Sequence, residues 1–279
     1  MKTFFKITLA SVLLGLSILT SPIKSKADSS LEIGPEAFYY FYDEPMAYKI
    51  NKIDTANMSE EEKRRIKENQ NKSIIKQGMK YGLHGKYTFQ PKSKYDFSAE
   101  GIVSKGEVDG SSATGNLENE KDFSFEARTL IGKKFSKDSK WYSGLGFRYL
   151  ENDSHGRKSD KGFWGYTRRQ NYYSFIAGLS KKFSKNLEGE IEYNQVFGTA
   201  TATHKNNDTI HEQNDSYIQP FGAGARASLK YSKDIGKAKI YGSVFTRNFL
   251  VGPSATDEHG MFEPINFTLE NGVNIGVGF

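Results

Sequence analysis

The last fifteen residues alternate in character, with Ile265, Phe267, Leu269, Val273, Ile275, Val277 and Phe279 on odd positions. Asn266, Thr268, Glu270, Gly272, Asn274, Gly276 and Gly278 fill the even ones. A period of two predicts a strand with one apolar and one polar face, and this one is long for a soluble sheet. The same alternation appears in Met79, Tyr81, Leu83, Gly85, Tyr87 and Phe89, and again in Phe123, Phe125, Ala127, Thr129 and Ile131.

Between such segments a short basic turn follows an aromatic residue: Phe89-Gln90-Pro91-Lys92-Ser93-Lys94, Phe135-Ser136-Lys137-Asp138, Phe183-Ser184-Lys185-Asn186 and Tyr231-Ser232-Lys233-Asp234. The last three aromatics stand 48 residues apart, enough for one hairpin and one long connection per unit. The pattern predicts strands over 30–42, 78–90, 95–105, 122–135, 141–151, 171–183, 187–198, 215–231, 238–250 and 263–279. Short turns fall near 91–94, 136–140, 184–186 and 232–237, and long polar loops near 43–77, 106–121, 152–170, 199–214 and 251–262.

Short turns on one rim, long loops on the other and an aromatic-ended apolar face predict an all-β fold, a transmembrane antiparallel up-and-down β-barrel. About ten strands are expected, with eight or twelve as the neighbouring even numbers. Hydrocarbon offers backbone N–H and C=O groups no partner, so a sheet survives in it only when closed. The alternative, a secreted β-sandwich or lipocalin-like barrel, fits poorly with strands this long and with both termini on the short-turn rim.

Composition narrows the picture. The chain of 279 residues has 16 Tyr, 20 Phe, 27 Gly and no Cys. That excludes a disulfide scaffold, a thiolate metal site, a Cys nucleophile and an N-terminal lipid anchor on Cys. Residues 1–27 read as a signal peptide, with Lys2 and Lys6, an apolar run from Ile7 to Leu19 and a small-x-small site at Ser25-Lys26-Ala27. The barrel domain is then 28–279. The formal net charge of +6 comes largely from that leader, which holds four Lys and no acid, so a nucleic-acid partner has no support in charge.

The closing segment Ile275-Gly276-Val277-Gly278-Phe279 resembles the last strand of the small, porin-like outer-membrane β-barrel proteins of Gram-negative bacteria. The resemblance implies an outer-membrane location reached by secretion across the inner membrane and periplasm. It also implies that Ile275, Val277 and Phe279 form the signal read by the barrel-assembly machinery, and that outer-membrane lipid and lipopolysaccharide surround the barrel.

If the odd residues of the last strand face lipid, registering the other strands on their aromatic face puts many charges inside. They are Glu32, Glu36, Lys80, Lys86, Glu100, Glu126, Arg128, Arg148, Glu188, Glu190, Glu192, Arg226, Lys230, Lys239, Arg247 and Glu270. An enclosed isolated charge costs several kcal/mol, so pairing or hydration is expected. Glu188, Glu190 and Glu192 should pair with Arg226 and Lys230 on the next strand. Such charges either line an ion-selective narrow pore or plug the barrel and hold its shape.

Outer-membrane barrels include enzymes, and two site types can be sought. The His-x-Ser pairing of the outer-membrane phospholipases and lipid A deacylases is absent around His84, His155, His204, His211 and His259. The omptin proteases hold Asp pairs and an Asp-x-His; Asp257-Glu258-His259 matches the latter as a string, but in the last loop rather than the preceding one, and no Asp-x-Asp occurs. His204, Asp208, His211, Glu212 and Asp215 cluster without a tight zinc spacing, and Gly222-Ala223-Gly224-Ala225-Arg226-Ala227 precedes no helix, so neither a metal nor a dinucleotide is called for.

In the first loop Ser59 and Glu62 form a capping box ahead of Lys63, Arg64, Arg65 and Lys67, a short surface helix by pattern. Lys63, Arg64, Arg65, Arg168 and Arg169 would suit lipopolysaccharide phosphates, and Trp164 and Tyr166 the interfacial girdle. The expectation is a porin-like narrow pore or a structural, surface-interacting barrel, without a cofactor and not an enzyme. A rim-site protease or lipid hydrolase and an adhesin acting through the long loops are the alternatives.

Overall fold

The computed structural model describes residues 28–45, 73–91, 94–205, 212–255 and 263–279. The signal-peptide reading of 1–27 lies outside them. Ten antiparallel strands close into a barrel, each hydrogen-bonded to its sequence neighbours, with the first against the last. They are β1 Asp28–Glu44, β2 Ile74–Gln90, β3 Tyr95–Ser112, β4 Gly115–Lys134, β5 Ser139–Asp153, β6 Thr167–Lys182, β7 Leu187–Lys205, β8 Glu212–Ile235, β9 Ala238–Val251 and β10 Asn266–Gly278. No described helix is long and apolar enough to cross a membrane; the chain crosses with strands.

The seam is sealed at the carboxyl terminus, where the Leu31 and Phe279 backbones exchange hydrogen bonds of 3.0 and 2.9 Å. Short connections lie at this end, which the topology of such barrels makes the periplasmic rim. Outward positions carry Leu83, Val103, Leu145, Leu179, Ile191, Val244 and Ile275, all exposed on the outer surface. Phe135, Phe183 and Tyr231 from the repeated turns are exposed at the periplasmic edge. Outward Phe125, Phe147, Tyr173 and Phe197 form a row of rings 5.3 to 6.5 Å apart on β4 to β7. Belts of this kind anchor a barrel at both interfaces.

The strands run further than the apolar alternation does. The connection expected over 106–121 is instead β-hairpin, with Ser112 paired to Gly115 across Ala113-Thr114. The connection expected over 152–170 shortens as β5 runs on to Asp153 and β6 begins at Thr167. Above the hydrocarbon both faces can be polar, as at Glu107, Asp109 and Lys121, so backbone pairing continues where the hydrophobic period has stopped. Two irregularities relieve register: one opposite Asn119, whose N–H bonds Asp109 Oδ1 at 2.9 Å, and one at Pro220-Phe221, where β8 skips a pairing with β7. Proline lacks the ladder donor, so a bulge is where a strand tolerates it.

Large lumen side chains lie over glycines of the neighbouring strand. A Cβ on Gly198 would meet the Tyr172 ring, one on Gly224 the Phe249 ring and one on Gly178 the Tyr142 ring. Replacing Gly178 by Val should overpack this contact and cost about 1–3 kcal/mol, read as a lower urea midpoint of the heat-modifiable folded band.

Candidate functional site

The lumen is where the sequence places its unusual chemistry. Inward positions of nine strands contribute to a continuous chain of charges. Glu36 on β1 bonds Arg247 on β9 at 2.7 Å, and Arg247 reaches Glu270 on β10 at 3.3 Å. Glu270 pairs with Arg148 on β5, which lies 3.9 Å from Glu126 on β4. Glu126 pairs with Arg226 on β8, whose Nε is 3.3 Å from Glu192 on β7. Glu192 also pairs with Arg128 on β4, Arg128 reaches Glu100 on β3 at 3.2 Å, and Glu100 meets His84 on β2 at 3.1 Å.

Period two explains the assembly: alternate residues of every strand point inward, so strands remote in sequence deliver opposite charges to one enclosed volume. Guanidinium groups suit the task because their planar fork bonds two carboxylates at once and stacks on rings. Arg247 sits 4.0 Å from the Phe245 ring centre, and Arg148 4.5 Å from that of Phe249.

Nearer the extracellular rim the lumen holds a second layer of pairs. Lys80 pairs with Asp122, and Lys76 with Glu120 at 2.9 Å. Arg168 joins Glu44 at 2.7 Å and also pairs with Glu263, while the Tyr42 hydroxyl donates to Glu44 at 2.7 Å. Phe38, Tyr40, Tyr42 and Val108 pack as one buried cluster, and Leu150, Tyr172, Val196, Phe249 and Val251 as another. A gap lined by Tyr40, Tyr42, Leu150 and Arg168 has a volume of about 10 Å³, room for about one water.

Toward the periplasm the barrel is open. A mouth of about 250 Å³ narrows into a chamber of about 110 Å³ ending at the Arg–Glu chain, and the two share Glu32, Lys86, Glu188, Glu190 and Lys230. Lys230 bonds Glu32 at 3.0 Å and Lys86 lies 3.7 Å from Glu190.

The structure thus brings Glu126, Arg128, Arg148, Glu192, Arg226, Arg247 and Glu270 together and changes the pairing expected around them. Glu188 is in register with Lys230, yet Lys230 turns across the lumen to Glu32, and Glu190 is taken by Lys86. The barrel's curvature makes a facing strand as accessible as an adjacent one. Arg168 is not a lipopolysaccharide contact: its even position on β6 points inward, and it is 5% exposed in the second layer. Arg169 points outward and bonds Glu151 at 2.6 Å. Ile275, Val277 and Phe279 are exposed on the outer face, on and just beyond β10. Lys63, Arg64, Arg65, Asp257 and His259 lie outside the described residues, as do Asp208, His211 and the side chains of His204, Glu212 and Asp215.

The residues missed by sequence reading are chiefly Glu44, Lys76, Asp96, Glu120, Asp122, Lys140 and Glu263, together with the lumen aromatics. A signal was present in Phe38-Tyr39-Tyr40-Phe41-Tyr42: five consecutive aromatics on a strand put rings on both faces.

Above the membrane, the β5–β6 connection is braced on the β3–β4 hairpin. The Asn116 backbone and side-chain amides both bond Asp160, at 2.8 and 3.0 Å. Ser159 Oγ donates to the Thr114 carbonyl at 2.6 Å, Lys161 to that of Ala113 at 3.2 Å and Arg157 to that of Asn119 at 2.6 Å. The connection presents Phe163 and Trp164, about half exposed, with Lys158 4.4 Å from the Trp164 ring centre.

No family model and no curated protein matches this chain. Among solved structures it is similar to the outer membrane protease OmpT from Escherichia coli, at 8% identity and a TM-score of 0.57, over 91% of this chain and 96% of that one. It is also matched to a TodX monoaromatic hydrocarbon channel mutant (8% identity, TM-score 0.34, 90% and 89% covered) and to the Ralstonia pickettii toluene transporter TbuX (7%, 0.34, 89% and 88%), likenesses too loose to carry an argument. The OmpT likeness corrects the expectation that this barrel is not an enzyme: a barrel of similar fold is a protease, so the fold does not exclude catalysis. At such identity it shows the fold alone, and by fold and outer belt the chain is an outer-membrane β-barrel protein.

Proposed function

We propose that this protein is a sealed barrel that holds a braced interaction platform at the cell surface. The observation that supports this most is the chain of ion pairs crossing the lumen from Glu36 to His84, backed by the aromatic layer above it. Selective pores leave charges free to replace the shell of a passing ion. Here each arginine is already committed to two or more carboxylates, in a place where separating them is expensive. The surface side of the reading rests on the Asn116–Asp160 clamp, which holds Phe163 and Trp164 outward on a rigid support. Exposed rings beside cations suit a ligand that offers both an apolar face and anionic groups.

Three measurements test this. In a planar bilayer the refolded chain should be electrically silent; stable, charge-selective steps would instead establish the narrow pore. Arg148→Ala leaves Glu270 and Glu126 short of a cation and should cost about 3–5 kcal/mol in the urea midpoint, with Arg148→Lys losing less. Asp160→Ala should release the β5–β6 connection, so that protease added to intact cells cuts within 155–164 faster while the barrel band keeps its mobility.

A further inference from the structure

The periplasmic chamber contains three buried oxygens that the barrel itself leaves without hydrogen-bond partners. Glu36 Oε2 accepts a hydrogen bond from the Arg247 guanidinium at 2.7 Å, which leaves Oε1 unpartnered. Asn274 directs its amide nitrogen to the carbonyls of Pro35 at 3.2 Å and Gly34 at 3.5 Å, which fixes the amide so that Oδ1 is the free atom. The hydroxyl of Tyr241 also lacks a partner. These residues are 4%, 4% and 3% exposed, and all three line the chamber.

They also form one patch of wall. Glu36 and Asn274 face each other across the β1–β10 seam. Tyr241, on β9, lies over Gly276, where a Cβ would come to 2.5 Å from its hydroxyl, so the phenol oxygen reaches across β10 toward β1. Three unpartnered oxygens on one stretch of enclosed wall match in number the three N–H donors of a protonated amine. Among the residues that line only the chamber, Glu36, Glu100 and Glu192 stand against Arg128, Arg226 and Arg247, so a bound molecule without net charge keeps the balance.

The entrance is basic instead. Eight lysines line the mouth against five carboxylates, and Lys134, Lys182 and Lys239 have no ion-pair partner among the described residues. Lys134 and Lys182 directly precede Phe135 and Phe183 of the repeated turns, and Lys239 stands at the start of β9, after the turn that follows Tyr231. A molecule entering from the periplasm passes the mouth lysines before it reaches Glu36.

We propose that this blind cavity is a binding site for a small amino-acid-like zwitterion, with its ammonium on Glu36, Asn274 and Tyr241 and its carboxylate toward the lysine mouth. Binding from the periplasmic side requires no opening of the Arg–Glu chain. The site is therefore independent of whether the lumen conducts.

The test uses the full folded chain in a non-ionic detergent, titrated by saturation-transfer NMR with glycine, methylamine and acetate. Glycine should bind at least about tenfold more tightly than methylamine, and acetate more weakly than both. Tyr241→Phe should weaken glycine about tenfold, the worth of one charge-assisted hydrogen bond, with the folded band unchanged on gels. Lys134→Gln, Lys182→Gln and Lys239→Gln combined, all at the solvated mouth, should bring glycine down to the methylamine level. Absence of saturation by any probe, acetate binding as tightly as glycine, or Tyr241→Phe binding glycine as well as the parent would each overturn the assignment.

Discussion

Everything in this molecule follows from one constraint: in hydrocarbon, a backbone N–H or C=O has only another backbone group to bond. The consequence is closure, and closure is completed by the last residue, whose backbone exchanges hydrogen bonds with Leu31. Once the sheet is closed, period two has a second meaning. It sorts each strand into a face that must be apolar because lipid surrounds it and a face that is free to be charged because protein surrounds it.

The enclosed face then has its own problem. Charges removed from bulk water need partners, and a barrel of ten strands is narrow enough for side chains to meet across it. Glu270 is shared by Arg148 and Arg247, and Glu126 is approached by Arg128, Arg148 and Arg226. Sharing of this kind makes the layer a single unit rather than a set of separate bridges, and the rings of Phe245 and Phe249 fill the space the guanidinium groups leave. An open, charged chamber lies on the periplasmic side of that layer and the braced β5–β6 connection with Phe163 and Trp164 on the other, so the two faces of the protein are chemically distinct.

The likeness to a protease of the same architecture bears on how such a barrel is read. Fold describes the solution to the membrane problem, and function depends on what the strands carry above and below it. The Asn116–Asp160 clamp and the chamber at Glu36 and Asn274 are built from residues on the faces and ends of the strands that lipid does not touch.

Fold class, strand number and the inward face of the central lumen charges were legible in the amino-acid sequence, because lipid imposes a strict alternation that short windows reveal, whereas Glu44, Lys76, Glu120 and Asp122 lie where that alternation has stopped. Arg168 shows where that legibility ended. It stands beside Arg169 in a basic stretch that reads as a surface loop, and only the continuation of β6 to Thr167 reveals that one of the pair points in and the other out. Glu188 and Lys230 show a second limit, since adjacent strands in perfect register still lost the pairing to Glu32 on the far wall. Local periodicity decides which side of the sheet a residue occupies. Which partner it meets there depends on curvature, stagger and the reach of side chains across the lumen, quantities that exist only once all ten strands have closed.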